Sequence, residues 1–265
     1  DIYHAVKLYK CVIKLVDHWV APYLELGRIY QERREWKPAF HYYKKTVMLE
    51  PNLREAWWSL AIAATALKKE RVARSIWNKF GIREMPQTGE GLQLAYNNTF
   101  EILWMKAQDP AKGHILSIPH PDSGFRFRDV VLYERKPIGY HVVNQQRIPV
   151  YAELGLFKRS PYQTFSCLLH APGPEQLAKL EKLCFSARLG FEIWSNAARS
   201  MVVGNPQAFP EYYSRSILPP EQAGQSDSHE HVLVGLAATH EAEVLHVLDA
   251  WEIVTLGSYS DLCAY

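Results

Sequence analysis

Apolar and polar positions change their period twice along the chain. Through residue 86, apolar residues recur every three or four positions, as in Ala5, Leu8, Tyr9, Val12, Val16 and Trp19, which predicts helices. From about 87 to 160 the pattern shortens. Runs at Phe100–Met105, His114–Ile118, Phe125–Tyr133, Ile138–Val143 and Ile148–Tyr151 read as strands. Between them Asp109-Pro110, His120–Gly124, Arg135–Pro137 and Asn144–Gln146 read as turns, and Gln87–Gly91 as a loop. These strands predict a small antiparallel barrel or meander, closed by a helical turn over Tyr151–Phe157. From 161 onward both periods coexist. Leu177, Leu180, Cys184 and Ala187 step by 3, 4 and 3, as do Val244, Val247, Trp251 and Val254, each set lying between strand-like runs.

The helical zone is repetitive. Tyr23, Leu26, Gly27, Tyr30, Ala39, Tyr43 and Pro51 are spaced by 3, 1, 3, 9, 4 and 8. A shift of 34 lands on Trp57, Leu60, Ala61, Ala64, Ala73, Trp77 and Met85, and a shift back lands on Ala5 and Tyr9. Residues 1–86 thus resemble the tetratricopeptide (TPR) repeat, a 34-residue helical hairpin. The resemblance implies a groove lined by the first helix of each pair, with Leu24, Arg28, Gln31, Trp58, Ile62 and Thr65 turned towards a bound peptide. Leu24, Trp58 and Ile62 depart from the Lys, Asn and Arg of the carboxylate-clamp subgroup, so an apolar partner segment is expected there. Trp57 falls at the packing position of its repeat, and Trp58, about 100° further round the helix, at the groove. Residues 1–19 begin in register at the second helix of a repeat. They are expected to pack on another copy, another protein or upstream residues.

The last zone contains a weak duplication with an offset of 67. Thr164–Ser195 can be laid without gaps on His231–Leu262, each half reading strand, helix, strand. Two such units predict a ferredoxin-like α+β sandwich, with Gly190 and Gly257 as left-handed residues ending the helices. The joining stretch, Asn196–Glu230, is long and polar and contains Pro206, Pro210, Pro219 and Pro220. The expected organisation is therefore helical repeats at 1–86, a small antiparallel β domain at 87–160, and a ferredoxin-like domain at 161–265.

Composition adds limits rather than an activity. The 265 residues carry a formal charge of +2, with 48% hydrophobic residues, which is globular in character. Residues 1–86 hold 16 Lys+Arg against 9 Asp+Glu, and residues 161–265 hold 5 against 12, so the front is basic and the rear acidic. The uncharged apolar stretch around Ser59–Leu67, from Ala56 to Leu67, is twelve residues, against the roughly 20 needed to cross a bilayer. Charged residues interleave from the start, so no signal peptide is read there. Cys11, Cys167, Cys184 and Cys263 lie far apart with no C-x-x-C pair. Reduced thiols in a cytoplasmic protein are the expectation.

Candidate chemistry is sparse. No nucleophile elbow, phosphate loop or dinucleotide fingerprint occurs, and no carboxylate pair stands out as acid and base. His229-Glu230-His231 could converge two imidazoles on a metal, with His170 as a third ligand, although a solvated strand entrance is the blander reading. Phe125-Arg-Phe-Arg128 alternates, but the second zone's 9 Lys+Arg against 7 Asp+Glu argue against nucleic acid. The sequence thus reads as a non-catalytic interaction or scaffold protein with no cofactor, binding a protein or peptide and neither nucleic acid nor membrane. The alternative is an enzyme or a small-ligand or metal sensor in the acidic rear, with the repeats as adaptor.

Overall fold

A computed structural model describes residues 1–82, 85, 89–96, 99–143, 146–195, 200–202 and 231–265. Five helices come first: α1 (Ile2–Leu15), α2 (Val20–Glu32), α3 (Trp36–Leu49), α4 (Arg54–Ala66) and α5 (Glu70–Lys79). Among the described residues, β1 (Glu90–Tyr96), β2 (Thr99–Asp109), β3 (Lys112–Ile115), β4 (Val130–Val143) and β5 (Gln146–Lys158) follow. The chain then runs β6 (Gln163–His170), α6 (Pro174–Ser186), β7 (Gly190–Ile193), β8 (Ser200–Val202), β9 (His231–Ala238), α7 (Glu241–Thr255) and β10 (Tyr259–Ala264). No helix among these residues is long and apolar enough to cross a membrane.

Two compact units result. One holds residues 1–87 together with 107–113 and 132–135; the other holds 88–106, 114–131 and 136–265. The second sequence zone is thus shared between them.

In the helical unit, neighbouring helices pack through small residues and tyrosines. The Tyr43 ring is fully buried against Gly27, where an added Cβ would fall 2.5 Å from Tyr43 Cε1. Tyr30 stacks on Tyr42 at 5.6 Å between ring centroids. Ala39, Ala56, Ala61, Ala63, Ala64 and Ala73 are buried, which permits close helix approach. The hairpin turns place Arg34 and Lys68 at positive φ, both 57°.

The first sheet has the order β1-β5-β4-β3-β2-β8, and β1 also pairs with β2, so the order returns on itself. The expectation of an antiparallel sheet is corrected here. β1 pairs with β5 in parallel, with Leu92 opposite Tyr151, because the first and last strands of the run β1–β5 come side by side where β1 pairs with both β5 and β2. Three local readings also change. Of the expected loop at Gln87–Gly91, Gln87 and Thr88 lie outside the described residues, while Glu90 and Gly91 open β1, which pairs with β2. Arg135–Pro137 is the interior of one 14-residue strand, β4, not a turn. Tyr151–Phe157 continues β5 instead of forming a helical turn. Long-range pairing supplies the hydrogen bonds that local signals assigned elsewhere. Phe125–Arg128 precedes β4 as a turn, with Arg128 at φ 62°, so its alternation marks no strand.

β5 leaves the first sheet and β6 enters the second across Arg159–Tyr162. That passage is fixed by Asp129, a fully buried carboxylate. It accepts the Ser160 amide at 2.7 Å, the Arg126 amide at 2.9 Å and Arg159 Nη1 at 2.7 Å. A further tie runs from the Ile118 amide to Glu192 Oε2, 2.6 Å.

The second sheet is antiparallel with order β10-β6-β9-β7. Within the run β6-α6-β7-β9-α7-β10, the strands therefore lie fourth, first, third, second. Alternate strand residues (Phe165, Cys167, Leu169, Val234, Leu236, Ala238) meet Leu180 and Cys184 of α6 and Val244, Val247, Leu248 and Trp251 of α7 in one core. Trp251 is fully buried, and its Nε1 donates to the Gln176 carbonyl at 2.8 Å. As α7 opens, the Glu243 carboxylate accepts the Thr239 hydroxyl at 3.0 Å and the Thr239 amide at 2.9 Å, and these bonds, the hydroxyl's foremost, hold its pKa below the ordinary value.

The glycines after α6 and α7 act differently from expectation. The left-handed residues are Arg188 and Leu256, at φ 62° and 57°, two positions before Gly190 and one before Gly257 respectively. Gly257 is required by proximity: a Cβ there would sit 2.5 Å from the Trp251 ring. Of the stretch Asn196–Glu230, only Ser200–Val202 falls within the described residues, as β8 paired with β2.

Two stability predictions follow from this geometry. Gly257→Ala should destabilise the second unit by about 1–3 kcal/mol through overpacking, while Leu256→Gly should stabilise it by about 0.5–1 kcal/mol by relieving the left-handed backbone; urea unfolding midpoints check both. Asp129→Asn should cost about 1–3 kcal/mol, because only one of its two acceptor oxygens remains for the Ser160 and Arg126 amides and the charge paired with Arg159 is lost. Its signature is an earlier urea midpoint for both sheets together.

Candidate partner-binding surface and the paired histidines

The six residues expected to face a ligand do not form one open surface. Leu24 and Trp58 are half-buried. Ile62 is fully buried, and Thr65 is 4% exposed with its hydroxyl donating to the Ala61 carbonyl at 2.9 Å. These two are corrected from ligand contacts to packing residues. Alanine on either side lets the helices close in until positions 62 and 65 are covered.

The polar members are already engaged. Arg28 bridges Glu25 at 2.5 Å and Glu55 at 2.6 Å, tying α2 to α4. Its pKa is raised, first by the hydrogen bond to Glu55. Gln31 accepts the Tyr43 hydroxyl at 3.0 Å and donates to Glu134 at 3.3 Å. Glu134 belongs to the β4 segment that packs with the helices, so the chain itself meets Gln31. Burial, the largest effect, pushes the Tyr43 phenol well above its ordinary pKa, so the hydroxyl keeps its proton and remains a donor.

The two tryptophans exchange the parts expected of them. Trp58 meets Trp77 edge-on at 4.8 Å and Phe80 at 6.2 Å, which makes it the packing residue between α4 and α5. Trp57 donates from Nε1 to the Pro51 carbonyl at 2.8 Å and lies under the Lys79 ammonium at 3.9 Å. The repeat register alone could not separate adjacent tryptophans, because both are large and both reach a neighbouring helix.

A surface that the groove reading understated is α1, which contains no buried residue. Leu15 is 85% exposed, Leu8 54% and Trp19 52%, with Lys7, Lys10 and Lys14 among them. Its signal was the apolar helical spacing of residues 1–19.

In the second unit, His229 and Glu230 lie outside the described residues. His231 is exposed and stands opposite His170 on the neighbouring strand, with the two Nδ1 atoms 3.1 Å apart. Among the described residues, no group of three or more His, Cys, Asp or Glu is arranged to hold a metal. Cys167 and Cys184 are buried, which pushes both thiols up to about 12 and keeps them protonated near neutral pH.

Comparisons with known proteins add little. No family model matches the chain, and no curated protein matches it. One solved structure, described as a novel crystal structure of a hypothetical protein from Neisseria gonorrhoeae, is similar at 13% identity with a TM-score of 0.29. That similarity covers 68% of this chain and 97% of that one. A likeness at that score carries no argument about fold or activity.

The exchange of tryptophans is testable. Trp58→Ala should cost about 3 kcal/mol by opening the Trp77 contact. Trp57→Ala should cost about 1 kcal/mol, the scale of one hydrogen bond with a partly exposed cation–π contact. Thermal unfolding of the two variants gives the order, and a larger loss at Trp57 would reverse the assignment.

Proposed function

We propose that this protein is a non-catalytic interaction protein whose TPR-like helical array binds a segment of another protein. The supporting features of the array are its in-phase hairpins, the Gly27–Tyr43 close approach and the buried alanines. In the same reading the closed strand order of the first sheet is a small barrel, and the second sheet with its two helices is ferredoxin-like, acting as the body to which the array is attached.

The observation that carries the functional reading is α1. A helix of 14 residues without a buried side chain, yet with Leu8 and Leu15 exposed, has an apolar face in need of cover. Lys7, Lys10 and Lys14 and the basic surplus of residues 1–86 favour an occupant that is apolar with acidic flanks. Of the first-helix positions, Leu24 and Arg28 stay in the proposed binding set, Trp58 packs on Trp77 and Phe80, and Gln31 is shared with Glu134. Ile62 and Thr65 drop out of the binding set because they are buried.

The test is site-specific photocrosslinking from Leu15, with Glu181 on the exposed side of α6 as the control position. A protein crosslinked from Leu15 but not from Glu181, lost with Leu8→Asp and weakened by added salt, is expected. Equal crosslinking from both positions would overturn the reading. A crosslink only to a second copy would replace it with self-association through residues 1–19.

A further inference from the structure

His170 ends β6 and His231 begins β9, and the two are directly opposite in the antiparallel register. The His170 amide donates to the Ser258 carbonyl on the β10 side, at 3.0 Å. Towards β9 the pair therefore occupies a non-hydrogen-bonded position, where facing side chains come closest. The adjacent residues Leu169 and Val232 belong to the core beneath the helices, so the imidazoles leave from the opposite face of the sheet. There the rings stand at 82° with centroids 5.0 Å apart, and Nδ1 faces Nδ1 at 3.1 Å.

Two Nδ1 atoms at that separation cannot both present lone pairs to each other, nor both present hydrogens. A positive centre must lie between them: a proton, donated by one neutral tautomer to the other, or a cation that accepts both lone pairs. Metal–nitrogen bonds of about 2.0–2.1 Å place two imidazole nitrogens about 3.3–3.4 Å apart at a tetrahedral angle, and about 2.9 Å apart at a right angle. The observed 3.1 Å lies between these values. The strand pairing has thus already brought two ligands to chelating distance.

We propose that His170 and His231 form a two-imidazole site for a borderline divalent transition-metal ion of the Zn²⁺, Ni²⁺ or Cu²⁺ class, bound through both Nδ1 atoms. Neutral imidazoles offer no negative charge to a hard cation, so Mg²⁺ and Ca²⁺ are excluded by ligand chemistry. Water fills the remaining positions on the exposed side at His231, leaving the ion open to a further ligand. A bound ion cross-links the two central strands of the second sheet and so stabilises the folded chain by mass action. Protons compete for the same nitrogens, so binding weakens as pH falls.

The experiment titrates ZnCl₂, with MgCl₂ as the parallel probe, into the full chain in chelator-free buffer. Calorimetry is combined with ¹⁵N spectroscopy of the imidazoles. The expected result is one equivalent of Zn²⁺, shifts at Nδ1 of His170 and His231 with Nε2 remaining protonated, and no response to Mg²⁺. His170→Gln and His231→Gln should each weaken binding at least about tenfold. The double variant keeps neither ligand and should show no Zn²⁺ binding at this site. Unfolding midpoints without metal establish that each variant is folded, and His170→Asn or His231→Asn replaces one that is not. No Zn²⁺ binding by the parent chain would overturn the proposal. So would binding that persists in the folded double variant, or coordination through Nε2 alone.

Discussion

The second unit turns on one buried carboxylate. Asp129 is fully enclosed, yet it accepts two amides and the Arg159 guanidinium. A buried charge is tolerated when it is paired and its lone pairs are used, and each of its partners lies in a connection and not in a strand. Those connections are the turn before β4 and the passage from β5 to β6. The Ser160 hydroxyl adds a bond to the Phe127 carbonyl at 2.6 Å, closing the same corner from the other side. The exit of the chain from the first sheet is therefore coupled to the start of the second.

Around that corner the second sheet solves a familiar problem of burial. Each strand places alternate residues under α6 and α7, and Trp251 fills the centre. So large a ring leaves no room for a side chain at Gly257, and the left-handed turn falls instead to Leu256, 91% exposed. Close packing takes precedence over the local preference of a leucine, at a cost on the order of 1–2 kcal/mol. On the opposite face, the same register delivers His170 to His231.

The helical unit follows another logic. Glycine and alanine allow close helix approach, so residues that a more open array would expose, Ile62 and Thr65, become core. What stays uncovered is at the edge, on α1, where apolar and basic residues alternate around one helix. The binding surface proposed for this unit is thus what packing leaves over, whereas the site proposed in the second unit follows from which strands pair.

Sequence periodicity by itself determined that the first part of the chain, through Lys79, forms helices, that two strand–helix–strand runs follow residue 161, and that the core positions include Leu180, Cys184, Val247 and Trp251. It also marked residues 1–19 as an apolar helix and singled out His231 with His170. These are local properties: a helical stripe or an alternating run is written in neighbouring residues. Tertiary structure decided the remainder. Whether Arg135–Pro137 turns or continues as a strand depends on a partner strand far away in the chain. So does the parallel pairing of β1 with β5, which sets strands at the two ends of the ring side by side. The parts of Trp57 and Trp58 were settled by Trp77 and Phe80, which reach only one of two adjacent residues. The His170–His231 spacing likewise follows from strand register, because a shift of one residue would send either imidazole to the other face of the sheet.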